Sequence, residues 1–297
     1  MANYEIEGCV HYTRIQPRGS HSVRMRIEDH VDFECKSNNL RRAGFLVFPP
    51  ENDAPEEGFQ AFLRSRIIDP IRHELVSSRH LSAIREESER AIIVASPPSS
   101  DVGHRGEFAM PHLRRLLEEN KDDARLVLEH TEKVAGVRHL RFDTAMKGYL
   151  GHVKGTNMET GAECHLADFG FGVSQCVPVF IQGALMHKGQ ILMVEQPEAH
   201  LHPTAQLDVG SYFADLWNSR RVQSLIETHS ANILLRLRRL VKEKRLVPDD
   251  ISVAYFTTED GKVTVKNLDV NQDGSLEEGL PMEFFGADVI EAIEMGA

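Results

Sequence analysis

The residues best placed to do chemistry lie in Ile191-Leu-Met-Val-Glu195-Gln196-Pro197-Glu198-Ala199-His200-Leu201-His202-Pro203. This is an apolar run that ends in a carboxylate. Mg²⁺ takes oxygen ligands and keeps several waters, so a carboxylate at the end of a buried strand suits an ion that bridges nucleotide phosphates. Glu195 has that place. Glu195, Glu198, His200 and His202 also compose a carboxylate–imidazole set compatible with a transition metal, because the two rings of an extended His-x-His point to one side. Two other stretches carry candidate groups. Leu225-Ile-Glu-Thr-His229-Ser230 sets an imidazole, whose pKa lies near physiological pH, just past a strand-like run. Taken alone, Thr228-His-Ser230 is a helix-capping cluster in which Ser230 is the N-cap. Asp168-Phe-Gly170-Phe-Gly172-Val-Ser174-Gln175 holds two glycines and two hydrogen-bonding side chains, and taken alone it reads as an ordinary turn.

The elements that must position these groups follow from apolar spacing. The run 191–195 is apolar up to its last residue, as a parallel strand buried on both faces should be. Pro203 opens a helix to about Asn218, a strand follows over 222–227, and a helix runs from Ser230 to about Lys244. Alternating strands and helices predict an α/β layer sequence with its ligands at the C-terminal ends of the strands. The residues around Asp260-Gly261 predict a hairpin. Upstream, residues 3–48 alternate with strand-like spacing, and residues 59–76 follow a helical rhythm with a kink expected at Pro70. A short strand is expected at 91–95, helices at 107–119 and 122–134, and strands at 137–142 and 149–153. We therefore divide the chain into a β-rich part with a helical insertion, 1–160, and an α/β lobe, 161–297.

Composition narrows the function classes. The 297 residues, at roughly 100–200 per domain, allow one large α/β unit or two modest domains. With 34 Lys+Arg against 45 Asp+Glu the net charge is −11, which disfavours coating of DNA through bulk charge. The basic run Arg236, Arg238, Arg239, Lys242, Lys244 and Arg245 reads as a solvated helix face, with a nucleic-acid or partner contact as the sharper alternative. Cys9, Cys35, Cys164 and Cys176 form no CxxC pair, so neither a zinc module nor a disulfide framework is expected. With no signal-like start and no run near the ~20 apolar residues that span a bilayer, the expected setting is cytoplasmic, without membrane contact. Asp269-Val-Asn271-Gln-Asp273-Gly274 begins like a calcium loop, but position twelve is Leu280 where a bidentate Glu is required, so a turn is expected.

The three stretches together resemble the ABC-type ATPases of the overcoming-lysogenization-defect kind, which include AAA-type family members. EQPEAHLHP is similar to their extended Walker B and D-loop, Leu225–Ser230 to their H-loop, and Asp168–Pro178 to their signature motif. Val102-Gly-His-Arg-Gly-Glu107 and the C-terminal Leu268-Asp269 through Phe284-Phe285 resemble segments of one subgroup. The resemblance implies a P-loop NTPase-like α/β lobe, of the ABC ATPase head type, with parallel strands flanked by helices. It implies ATP and Mg²⁺ as cofactors and ATP sandwiched between subunits. Glu195 would then hold the Mg²⁺, Gln196 and Glu198 the attacking water, and His229 the γ-phosphate. Gly170, Gly172, Ser174 and Gln175 would clamp nucleotide from a helix N-terminus, with His200 and His202 in the D-loop beside them. Roles in DNA maintenance or antiviral defence are expectations of the same likeness.

Two departures set the expected activity. Gln196 stands where many such heads have a glutamate base, and an amide orients water but takes no proton at neutral pH, so slow, switch-like turnover is expected. The sequence also holds no GxxxxGK[ST], the loop whose backbone and lysine cradle the phosphates. The reading is a nucleotide-switch subunit of a hetero-oligomer whose Walker A loop comes from a partner chain, with an exposed sheet edge where that lobe would join. The alternative is a catalytically inactive scaffold or regulatory subunit that keeps the ATPase-like fold.

Overall fold

The computed structural model describes five strands within the first 48 residues, then residues 77–93, 99–119, 121–146, 150–259 and 261–277, and residue 295. The chain divides into two compact units, residues 1–72 and 73–297.

In the first unit β1 (His11–Ile15), β2 (Ser22–Ile27) and β3 (Val31–Lys36) form an antiparallel sheet in that order. β4 (Arg41–Ala43) and β5 (Leu46–Phe48) make a separate antiparallel pair. The strand-like alternation of the sequence is thus realised as hairpins, with Pro17-Arg18-Gly19 between β1 and β2 and Asn38-Asn39 between β3 and β4. The amphipathic helix expected before residue 77 and most of the acidic tail lie outside the described residues.

The second unit begins with β6 (Arg79–Leu81), β7 (Ile92–Ile93), α1 (Ala109–Glu119) and α2 (Lys121–Ala135). β8 (Val137–Met146), β9 (Leu150–Asn157), β10 (Glu163–His165) and α3 (Phe171–Leu185) follow. The chain continues through β11 (Ile191–Glu195), α4 (Pro203–Arg220), β12 (Gln223–Glu227) and α5 (Ala231–Lys242), and ends in the hairpin β13 (Ala254–Glu259) and β14 (Lys262–Asn267). β7, β8 and β10 all pair antiparallel with β9. β12, β11 and β6 form a parallel sheet in that order, with Met193 in register with Leu225 on one side and His80 on the other. The fold is α/β, with parallel strands and helices.

Packing explains why compactness does not follow composition. Every residue of α3 from Val173 to Ala184 is buried, including Pro178 and the polar Ser174, Gln175 and Gln182, as in a helix surrounded by the core. α2 packs on α3 and α4, and α1 packs on α2 and α3. Residues 109–135 therefore share one core with the 171–220 layer. Each fully buried Leu, Ile or Phe of this core, such as Leu113, Phe180, Ile181 and Leu192, contributes roughly 1.5–3 kcal/mol.

β11 is central and buries Leu192 and Val194. Among the described residues β12 has β11 as its single strand neighbour, and its Leu225 is 63% exposed. Unpaired edges and exposed side chains of this kind are unusual for a parallel strand.

Several sequence features have structural roles. Trp217 donates its Nε1–H to Asp250 Oδ1 at 2.8 Å and packs on the smaller core near Leu240 and Leu268. The basic residues of α5 are largely engaged: Arg236 with Ser211, Arg238 with the Gly274 carbonyl, and Arg239 with Glu243. Arg245, just beyond the helix, pairs with Asp215. The calcium-loop look-alike closes as a turn, in which Asp273 Oδ1 accepts from the backbone and hydroxyl of Ser275. No described helix is long and apolar enough to cross a membrane.

Candidate functional site

The parallel sheet brings Glu195 to the C-terminal end of β11, in register with Glu227 at the end of β12. Glu195 is half-exposed, and its carboxylate is held from a neighbouring segment. Ala83 N–H donates to Oε2 at 3.0 Å, and His80 Nε2 lies 2.9 Å from Oε1. The Ala83 N–H and the His80 ring hold the carboxyl below the usual glutamate range despite some desolvation. The carboxylate fixes Nε2 as the protonated nitrogen of His80. With a neutral ring, Nδ1 then accepts from His104 Nδ1, 3.1 Å away.

Gln196 follows with φ +41°, in the left-handed region that side-chain-bearing residues rarely adopt, and its N–H donates to the Glu227 carbonyl at 2.8 Å. The chain then turns through Pro197 to His202. Glu198 is 7% exposed. Its Oε1 accepts the His229 backbone N–H at 3.0 Å, while its Oε2 is buried with no hydrogen-bond partner. Glu198 therefore faces inward and joins the turn after β11 to the turn after β12.

His200 and His202 both stay exposed. His200 has φ +63° and meets the Phe171 ring edge-on at 4.6 Å between centroids. His202 is the N-cap of α4: its Nδ1 accepts from Thr204 N–H at 3.4 Å and contacts the Thr204 hydroxyl at 2.9 Å. Pro203 takes the first helical turn, as its missing N–H allows. His229 is exposed at the end of β12, and Ser230 caps α5 by accepting from Asn232 N–H at 3.2 Å. The capping reading of Thr228-His-Ser230 thus holds for Ser230 and leaves the His229 ring at the surface.

Of the glycine stretch, Gly170 precedes α3 with φ +98° and an open surround, and no side chain caps this helix start. Gly172 is needed for close approach, since a Cβ there would lie 2.6 Å from the His200 carbonyl oxygen. Ser174 and Gln175, expected to contact phosphate, are both buried. Ser174 Oγ accepts from Ser88 N–H at 3.1 Å. Gln175 exchanges two hydrogen bonds with the Arg85 backbone, at 2.8 and 2.9 Å. Their side chains fasten residues 85–88 to α3. The physical reason is that the first turns of a fully buried helix have no outward face beyond Gly172.

Sequence spacing missed His80, His104 and Arg85, which reach Glu195 and its neighbours from residues 79–107. The one signal was the Val102–Glu107 stretch, which carries His104.

Among the described residues no group of three or more His, Cys, Asp or Glu could enclose a metal, so Glu195, Glu198, His200 and His202 do not close a transition-metal site. Glu195 suits instead a cation that takes one protein carboxylate and completes its shell with water and phosphate, which is the habit of Mg²⁺.

No curated protein matches the chain. Many solved structures align with it at low similarity, and three of them illustrate the likeness. One comes from work on ATP-driven dimerization and DNA-stimulated activation of SMC ATPases, at 13% identity and a TM-score of 0.38 over 59% of this chain and 92% of that one. A second is the SmcHead bound to the C-winged helix domain of ScpA, at 12% identity and 0.38 over 60% and 53%. The third is the Smc head domain of Pyrococcus furiosus with an extended coiled coil, bound to the C-terminal domain of ScpA, at 11% and 0.37 over 63% and 42%. The chain thus spans about half or less of the second and third. A family described as AAA ATPase domain matches residues 112–234, less than half of the chain but all of the stretch that holds Gly170, Glu195, Glu198 and His229.

Proposed function

We propose that the chain is the nucleotide-switch subunit of an ABC-type ATPase assembly. Glu195, Gln196 and His229 meet ATP on one side, with Glu198 behind them, and the start of α3 at Gly170 clamps it across an interface. The observation that carries this reading is the Glu198 to His229 hydrogen bond at 3.0 Å, which joins the two strand-end turns into one edge. The match to an ATPase domain over that same stretch supports it.

Each group has a role set by its surroundings. Glu195 would hold Mg²⁺, which when bound neutralises charge on the phosphates. Gln196, strained and half-buried at the strand end, orients water through its amide and takes no proton. Glu198, buried against His229, acts by placing the His229 turn, and the exposed His229 ring contacts the γ-phosphate. The edge of β12, unpaired among the described residues, suits a further strand that brings the phosphate cradle, which we assign to a partner chain. A second reading, a catalytically inactive scaffold with the same fold, is favoured by the amide at Gln196. An association with nucleic acid in DNA maintenance or antiviral defence belongs to the proposal and follows from family likeness.

The test is reconstitution of the full chain with a P-loop-bearing lobe supplied as a separate polypeptide. Hydrolysis is expected in the mixture, well below the ~100 s⁻¹ reached by fast phosphoryl-transfer enzymes, and it is expected to fall with Glu195→Ala and His229→Ala. Nucleotide binding without turnover identifies the scaffold. A complex that hydrolyses ATP indifferently to both substitutions overturns the assignment.

A further inference from the structure

Beside the candidate site lies a charge that no role above uses. Arg85 is 1% exposed, among the most deeply buried large side chains described. Its guanidinium donates to four backbone carbonyls drawn from three separate stretches of chain. Nε reaches Gln175 O at 2.5 Å, Nη1 reaches Ser82 O at 2.8 Å and Glu195 O at 3.0 Å, and Nη2 reaches Gln196 O at 3.0 Å. Its own backbone is paired in both directions with the Gln175 amide. Among the described residues no carboxylate lies within ion-pair distance of it.

We propose that Arg85 is the positioning residue of this site: it fixes the backbone of Glu195 and Gln196 and fastens it to α3, so that the turn after β11 and the glycine-led helix move as one body.

The argument is one of cost against geometry. Burying a cation without an ion pair costs several kcal/mol, and apolar filler of the same volume avoids that cost. Desolvation accordingly pulls the guanidinium below its ordinary value, opposed by the carboxylates of Glu198 and Glu195. What apolar filler lacks is a planar fork that reaches several acceptors in fixed directions, which a lysine lacks too. The acceptors are the informative part. Gln196 carries the strained φ of +41°, and its peptide groups are gripped on both sides, by N–H to Glu227 O and by C=O from Arg85. Strain of this kind persists only where surrounding contacts over-determine it. Gly172, tucked against the His200 carbonyl, brings α3 to the same turn from the other side.

The functional meaning of this coupling rests on the ATPase reading, but its test involves no nucleotide, so the two fail separately. In the full chain, Arg85→Met keeps length and removes the donors, and Arg85→Lys keeps charge and removes the fork. Both are expected to retain the parent circular dichroism, while amide hydrogen exchange in segments 174–180 and 196–201 rises together by about tenfold or more and the interiors of α4 and α5 stay unchanged. In Arg85→Ala, added ethylguanidinium is expected to restore protection in both segments and ethylammonium to restore neither, a contrast that simple loss of packing does not produce. Parent-like exchange in the Met variant, or loosening of one segment without the other, overturns the proposal. If the Met and Ala chains do not fold, Arg85→Lys decides alone, and parent-like exchange there overturns it equally.

Discussion

His80 Nε2 lies 2.9 Å from Glu195 Oε1, and the same imidazole turns its Nδ1 to His104, so a three-residue chain of hydrogen-bonding groups leads from the end of β11 to the surface. The parallel register of β6 with β11 produces this contact, since His80 sits opposite Met193, two residues before the carboxylate. Glu195 is therefore held ionised before any ligand arrives, by Ala83 N–H first and by His80 second. His80→Ala is expected to raise the Glu195 carboxyl pKa while leaving it below the usual range, because the Ala83 donor stays. Since the folded value is the lower one, the stability this carboxylate contributes is present above its unfolded pKa and lost as pH falls through the folded value. Carboxyl NMR titration of parent and variant checks this. An unchanged Glu195 pKa would show that the imidazole is a bystander.

His130 gives the chain a separate response to acid. It is 1% exposed between Phe180, Tyr212 and Asp215, and its Nδ1 has no partner among the described residues. Burial pulls it from 6.5 to about 4, and the Asp215 carboxylate, 3.5 Å away, offsets only part of that. Between those two values the unfolded chain binds the extra proton and the folded chain does not. Stability should therefore fall as pH drops from about 6.5 toward 4, by something on the order of 3 kcal/mol at the lower end. Urea melts across that range measure it, and His130→Leu should flatten this part of the profile. A slope that survives the substitution unchanged assigns the acid sensitivity elsewhere.

Local signals made part of this site legible and left the rest hidden. Glu195 at the end of an apolar run, Pro203 in a first helical turn and Ser230 as an N-cap are each set by a few consecutive residues, and the structure has all three. Ser174 and Gln175 could not be oriented from sequence, because on a helix buried all round no period separates an inward face from an outward one. Arg85 and His80 reach Glu195 across 110 and 115 residues, and neither sits in a motif or a period that ties it to that strand. The packing of α1 and α2 onto α3 was hidden for a related reason, since it is a tertiary preference that no local pattern carries.

The close approach at Gly172 predicts intolerance of the smallest side chain. A Cβ there would meet the His200 carbonyl at 2.6 Å and the Leu201 side chain at 3.0 Å, and the first of these is backbone. Gly172→Ala should therefore push the 196–202 turn away from α3. Overpacking of this kind costs about 1–3 kcal/mol, whereas a glycine-to-alanine change inside an uncrowded helix stabilises. Denaturant unfolding of the variant gives the sign directly. A gain in stability would mean that the turn yields freely and that the contact is loose.

Glu198 offers the sharpest separation of a structural from a chemical role. Its Oε1 holds the His229 N–H, and its buried Oε2 meets no donor, so the carboxylate stands half-satisfied in a desolvated place. Glu198→Gln keeps an acceptor for the His229 N–H and removes a charge that no hydrogen bond at Oε2 supports. It should leave stability unchanged or slightly raised. Glu198→Ala strands a backbone donor and opens a void, so it should destabilise by about 1–3 kcal/mol. In a hydrolysing complex, a positioning role predicts that the Gln variant keeps most of its turnover while the Ala variant loses it. If Gln and Ala are equally inactive, the carboxylate itself takes part in proton transfer and the inward-facing geometry must open during turnover.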